Sequence, residues 1–395
     1  MKASMYGSFK RAPAFLPAFC VLMFFVGFEM GGFQFALRSI SAEYSMHGIG
    51  SGLLVAAQYS SVIIMPLLFG HIADRVGKRI VLLSFCAVFL LGCALAALSG
   101  GVVAFSFGAF LIGAGYSVCE TAGSAALSDL SREDGARWVN LSQGALSFGA
   151  VISPILTQVC TKAFGSSWRL VFFVCLFGAL LSAVLLFLSR IPSASTVEPL
   201  QSTSLPIRHF RDLPFTLFFF SILLYVGLEN GFGYFTESLF SLELHTVSLG
   251  AYAISAYWAS MAFSRLLFGV LSVKPERTLI ISLGVSAVLF LALSLLKSPI
   301  PAFAACALIG FAFGPVWSAL MNLAAARNPN SSGGAMGLMS AGCGLGGAVF
   351  PALMGLISDS LNLRAAFLLL AFTTAVAAAL SLAAKLRQSN LAPKG

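Results

Sequence analysis

Three carboxylates stand in sequence that is otherwise apolar. Glu29 lies in VGFEMGGF (Val26 to Phe33), Glu229 in VGLENGFG (Val226 to Gly233), and Glu120 in a long apolar run that includes LIGAGYSVCE, from Leu111. An ionisable group at the centre of a bilayer costs at least ~2.5–3.5 kcal/mol on insertion scales, so it marks a functional position by default. A carboxyl group there can exchange a proton or hydrogen-bond a solute hydroxyl. It can equally stay protonated and fix helix packing. Glu29 and Glu229 recur in the same local pattern about two hundred residues apart. That points to a carrier built from a repeat.

Other polar groups lie at matching depth. Tyr116 and Ser124 share a helical face with Glu120, and the next apolar stretch brings Asn140, Gln143 and Ser147. Gln34 follows Glu29, and Gln58 and Tyr59 lie in the second stretch. Asn230, Tyr234 and Glu237 follow Glu229 at helical spacing. Tyr257 and Trp258, and further on Trp317 and Asn322, could stack on or hydrogen-bond a small polar solute, or pack between helices. Arg265, one turn before Gly269, reads as snorkelling to the headgroups or bracing a gate. For each of the three glutamates, proton coupling and packing both stay open.

The elements that must hold these groups follow from composition. Of 395 residues, 58% are hydrophobic and 9% charged, with 37 Phe and 38 Gly; the mean hydropathy is +0.94. A soluble domain has roughly 25% charged residues, so this is an all-α polytopic membrane protein. The net charge of +9 sits in short loops between apolar runs, which excludes a nucleic-acid role. The eight cysteines lie inside apolar runs without CxxC spacing, and no metal set, phosphate loop or nucleophile–base pair stands out. We expect no metal, no cofactor and no enzymatic activity. The basic N-terminal stretch reads as the start of a retained span rather than a signal peptide.

Spans of about 20 apolar residues fall at 14–37, 51–72, 79–98, 102–127, 137–160, 168–189, 214–238, 248–271, 277–296, 301–326, 334–357 and 363–384. An even count places both termini on one side. The loops of the opposite side hold only Arg38, Lys162, Arg169, Lys297 and Arg364. Apart from Arg265, the other Lys and Arg residues lie on the side of the termini, which is therefore cytoplasmic. Residues 190–212, rich in Pro and Ser, divide a first six-helix bundle (1–189) from a second (213–395). Internal repeats support that division: LIGAGYSVCE with LIGFAFGPVW, FGAVISP with GGAVFP, and SWRLVFF with NLRAAFL, in the same order at offsets of about 195 to 200 residues. In such architectures the site lies between the halves, near mid-membrane.

The most specific local motif is GHIADRVGKR. Gly70 and Gly77 permit a tight turn, Asp74 can brace a helix end, and Arg75, Lys78 and Arg79 anchor at the headgroups. This loop, in this place, resembles the signature of the major facilitator superfamily. The resemblance covers the whole chain, with a decayed echo at Ser264 to Arg277 that lacks the acidic residue. It implies two pseudo-symmetric six-helix bundles and a gating rather than substrate role for the motif, with Asp74, Arg75 and Lys78 as conformational-switch residues.

The block from Cys119 to Ala150 resembles the fucose–proton symporter branch, where a Glu-Thr-Ala stretch in span four precedes an Asn-Leu-x-Gln stretch in span five. By that resemblance Glu120 lies in the central cavity and takes part in sugar binding or proton coupling, and Gln143 contacts sugar. The branch carries an aspartate in span one whose counterpart here is Gln34, which cannot titrate. Glu29 is its candidate stand-in, although five residues earlier means a direction about 140° away. The expected function is secondary active transport of a monosaccharide or polyol by proton symport, through alternating access, in a bacterial inner membrane. No oligomerisation signal appears, so a monomer is expected. A drug–proton antiporter is the alternative, weakened because Ser153 to Gln158 lacks the paired glycines that such exporters carry in span five. A non-transporting sensor or scaffold would have lost the carboxylates.

Overall fold

The computed structural model describes residues 15–130, 135–165, 167–189, 206–270, 274–327 and 332–391. One bundle comprises α1 (Leu16–Glu43), α2 (Ile49–Val76), α3 (Lys78–Leu98), α4 (Val102–Leu130), α5 (Gly135–Phe164) and α6 (Arg169–Leu188). The other comprises α7 (Leu213–Ser238), α8 (Val247–Val270), α9 (Pro275–Leu295), α10 (Pro299–Phe313), α11 (Val316–Arg327), α12 (Ser332–Ser360) and α13 (Leu363–Leu391). Among the described residues, eleven spans are long and apolar enough to cross a bilayer, one of them Pro299–Ala324. Helix α8 is the twelfth. Ser248, Ser255, Ser260, Ser264 and Arg265 lower its hydropathy, and several of them bond to neighbouring helices.

Two details refine these expectations. The tenth span crosses as one stretch, Pro299–Ala324, but is interrupted at Gly314–Pro315 between α10 and α11, because proline gives no N–H to the ladder and its ring crowds the carbonyl four residues back. The end of the 190–212 link is structured. Residues 190–205 lie outside the described residues, but Pro206–Arg211 form a 3-10 turn. Asp212 then caps α7 through Phe215 N–H (3.3 Å) and pairs with Arg327 at 2.7 Å.

The repeat is physical. Helix α1 packs on α5 and α6, α3 on α4 and α6, and α2 on α4. The second bundle repeats this with α7 on α12 and α13, α9 on α10 and α13, and α8 on α10. Glycines permit the α1–α5 and α7–α12 approaches. A Cβ at Gly149 would lie 2.7 Å from Phe28 N, and one at Gly346 3.0 Å from Gly227 N. Such small-residue contacts are how helices pack where lipid removes the hydrophobic drive. The SWRLVFF/NLRAAFL echo has a cause as well. Arg169 bonds Glu43 at 2.6 Å and the Ser99 carbonyl at 2.8 Å. Arg364 bonds Glu243 at 2.9 Å and the Leu296 carbonyl at 2.8 Å. Each arginine ties the end of its bundle's first span, or the turn after it, to the end of the third. Both braces lie on the far side of the molecule, opposite the near side on which α1 begins.

Candidate functional site

The two bundles meet along α2 against α12 and α5 against α8, pairs that the pseudo-symmetry exchanges. On the far side the fit is tight. Asp359, at the end of α12, accepts a hydrogen bond from Ile49 N–H at 3.0 Å and so caps α2 of the other bundle. Gly48, at φ +43°, sits against that carboxylate. Further along the pair, a Cβ at Gly52 would lie 2.6 Å from Ala352 N, and one at Gly344 2.8 Å from Ile63 N. Between α5 and α8, Gln158 donates to the Ser248 carbonyl (3.0 Å) and Ser255 to the Val151 carbonyl (2.7 Å). Arg38 pairs with Glu237 at 3.2 Å, and Ser241 donates to the same carboxylate. Arg38, expected in a loop, is therefore inside α1 and bridges the bundles, and Glu237 is its partner.

Toward mid-membrane the contacts become side chain to side chain. Trp258 Nε1 donates to Gln34 Oε1 at 2.9 Å, and a Cβ at Gly233 would lie 2.6 Å from the Gln34 amide carbon. Tyr59 OH donates to Asn230 Oδ1 at 2.5 Å, and Asn230 donates to its own helix at Val226 O. Gln58 donates to Glu29 Oε2 at 3.0 Å and accepts from Tyr234 OH at 3.4 Å. Glu29 has no exposed surface, and its Oε1 has no hydrogen-bond partner among the described residues. Gln34, Gln58, Tyr59, Asn230, Tyr234 and Trp258 thus form one buried seam joining the bundles.

Nearer the near side lies a charged cluster. Gln143 donates to Glu120 Oε1 at 2.8 Å. One turn along α5, Ser147 accepts from Arg265 Nη1 at 3.3 Å. Arg265 Nη2 is 3.9 Å from Glu229 Oε1, and the guanidinium acts electrostatically on Glu120 as well. Of the two expectations for Arg265, the outward snorkel is not what the structure shows: it turns inward and reaches across to the other bundle. It is thus the basic group at site depth that the sequence alone did not reveal. A Cβ at Gly144 on α5 or Gly337 on α12 would meet nothing within 4 Å, and Asn322 is exposed.

The remaining expected residues distribute unevenly. Tyr257 lies in the core of the second bundle, its ring 4.8 Å from that of Phe232, rather than on the seam. Trp317 is half-buried on α11. The side chains of Gly70, Asp74, Arg75 and Asn140 lie outside the described residues. Gly70 falls within α2, so the turn of the motif rests on Gly77 alone, at φ +100°. Lys78 is buried, and Arg79 donates to the Phe187 carbonyl at 2.7 Å, closing the end of α6 rather than reaching only for headgroups. Sequence reasoning missed Gln158, Ser248, Ser255 and Asp359. The serine content of α8 was the available signal for two of them.

The profile of the Major Facilitator Superfamily matches residues 19–334 and 303–394. Two Helicobacter pylori proteins described as candidate glucose/galactose transporters, from strains J99 and 26695, are each 24% identical to the chain. The matches cover 91% and 90% of this chain and 92% of each relative. Among solved structures, the transporter FucP in its outward conformation superimposes with a TM-score of 0.68 at 18% identity, covering 93% of this chain and 98% of FucP. A bacterial homologue of the human lysosomal transporter Spinster, inward-facing and unoccupied, gives 0.74 at 14% identity over 93% and 96%. With a helical fold of two matched bundles and a profile match over most of its length, the chain is a multi-pass membrane protein and belongs to the Major Facilitator Superfamily.

Proposed function

We propose that the protein is a proton-coupled symporter of a monosaccharide or closely related polyol, working by alternating access of the two bundles. The observation that carries this is the seam. Gln34, Gln58 and Asn230 offer neutral amides, Tyr59, Tyr234 and Trp258 offer aromatic faces with a polar edge, and all six bond across the bundle boundary. Parting the far side breaks those bonds and leaves donors and acceptors that a neutral polyhydroxylated solute can satisfy, since a buried polar group left unpaired costs ~1–3 kcal/mol. The names of the relatives support the same solute class: the H. pylori proteins are described as candidate glucose/galactose transporters and E. coli FucP as a fucose:proton symporter.

The near side is the cytoplasmic face, by its excess of Lys and Arg, and the membrane is the bacterial inner membrane. The conformation described here is therefore closed to the outside. Residues 1–189 and 213–395 rock as two units about the seam, the chain working as a monomer. Glu120 and Gln143 form the cytoplasm-facing part of the path, and the Gly70–Arg79 motif guards that side.

The test is uptake of radiolabelled glucose, galactose, fucose and a polyol by energised vesicles, with and without a protonophore. At least one sugar should accumulate above equilibrium, and the protonophore should abolish the gradient. Export of a lipophilic dye with no sugar accumulated would overturn the reading in favour of a drug antiporter.

A further inference from the structure

Of the three intramembrane glutamates, two share a cation and one does not. Glu29 accepts a hydrogen bond from Gln58 on α2, and the titratable groups within its electrostatic reach are the neutral side chains Tyr59 on α2, Tyr116 on α4, Tyr234 on α7, Cys93 and Cys175. Among the described residues, no cation acts on it. Glu229 and Glu120 differ: the Arg265 guanidinium acts electrostatically on both. They belong to opposite bundles, and Arg265 already touches both: Glu229 in its own bundle at 3.9 Å, and Ser147, one turn from the Gln143 that holds Glu120, in the other at 3.3 Å. The other titratable neighbours are Tyr225 on α7, Tyr257 on α8 itself and Cys343 on α12. Helix α10, packed on α8, carries no charged side chain.

We propose that Arg265 is the shared counter-ion of Glu120 and Glu229, and that one proton on this pair decides whether the near side of the carrier closes. The inference rests on the symport reading and names its coupling residues. When both carboxyls are ionised, the guanidinium lies between them and draws the bundles together on the near side. A proton taken up by Glu120 leaves Glu229, within the second bundle, as the one charged partner of Arg265; the bond to Ser147 seen here then gives way, and the near side opens. On deprotonation the proton leaves to water on that open side. Two acids against one base leave a single excess negative charge, so the cluster exchanges one proton per cycle. Arg265 acts here as a positioning residue: its role is to link a proton to a movement.

The test needs no solute. Spin labels at positions 144 and 337, where a side chain meets nothing within 4 Å, report the near-side separation in full-length protein whose native cysteines are replaced. In the otherwise unaltered protein the distance should shorten as pH rises. Arg265→Gln should abolish that response, and Arg265→Lys should restore part of it. Glu120→Gln should hold the near side open at every pH, so the proposal stays testable if one variant fails to fold. A pH-driven closure that survives in Arg265→Gln, or its absence from the parent protein, overturns the proposal. Solute accumulation is read separately. Arg265→Gln should lose net accumulation while retaining solute exchange. If the parent protein accumulates no sugar but closes with pH through Arg265, the symport reading fails and the switch stands.

Discussion

Glu29 is fully buried with one carboxylate oxygen unpaired among the described residues. Its hydrogen-bond partner there is the Gln58 amide, which also takes the hydroxyl of Tyr234 from the other bundle. Gln58→Leu therefore strips the carboxyl of its partner and leaves the Tyr234 hydroxyl without its acceptor. The expected loss is ~1–3 kcal/mol for each buried group orphaned, read as a lower Tm in detergent. A Glu29→Leu, Gln58→Leu double variant should lose less than the sum of the single changes, because the two groups are then absent together. Strict additivity would show that the hydrogen bond carries no energy. At this scale the sequence disclosed which groups are polar at membrane depth but not which way they turn. Glu29 was legible as exceptional from its apolar neighbours, whereas its separation from every described cation depends on the rotation of five other helices. The direction of Arg265 was open for the same reason. Its position near the end of a span suggested an outward reach, and only the packing of α8 against α5 and α7 aims it inward.

The helices themselves were largely visible, because in hydrocarbon each span must satisfy its own backbone and so reads as one long apolar run. The departures occur where local chemistry interrupts that rule: at Pro315, which interrupts the ladder inside the tenth span, and at Gly70, which stays helical although a glycine beside a basic loop suggests a turn. The paired arginines show how a repeat at sequence level becomes a repeat of bonds. Arg169 serves Glu43 and the Ser99 carbonyl together and lies over the Trp168 ring at 4.3 Å. A lysine cannot do all three, since the planar fork and the stacking belong to the guanidinium. Arg169→Lys should therefore destabilise the first bundle nearly as much as Arg169→Ala, and Arg364→Lys the second bundle likewise. Limited proteolysis of the turns after α1 and α7 checks this. Protection equal to that of the parent protein in both lysine variants would show that charge alone suffices. The symmetric outcome is expected because both arginines hold a glutamate and carbonyls at the end of the third span of their bundle.

As a whole, the molecule is asymmetric from one side to the other. Among the described residues, the bonds between α5 and α8, and the Asp359 cap on α2, lie from the Arg265 level to the far side, while glycines on the near side of α5 and α12 face open space. If the two bundles move as units, the far side must part for solute to enter, and the Ile49–Asp359 contact must break in every cycle. Cysteines at 49 and 359, in a background lacking the native ones, should form a disulfide that holds the far side shut. Oxidation should then cut uptake at least about tenfold, a block equivalent to ~1.4 kcal/mol or more on the opening step, and reduction should restore it. Asp359→Ala alone controls for the loss of the cap, since the donor is the Ile49 backbone N–H; the cap's contribution of ~0.5–2 kcal/mol favours the closed far side, so that its loss should raise rather than lower the rate of opening. Undiminished uptake in the oxidised double variant would mean that solute crosses without parting α2 from α12. The tight glycine contacts at Gly48, Gly52 and Gly344 would then be permanent packing rather than a gate.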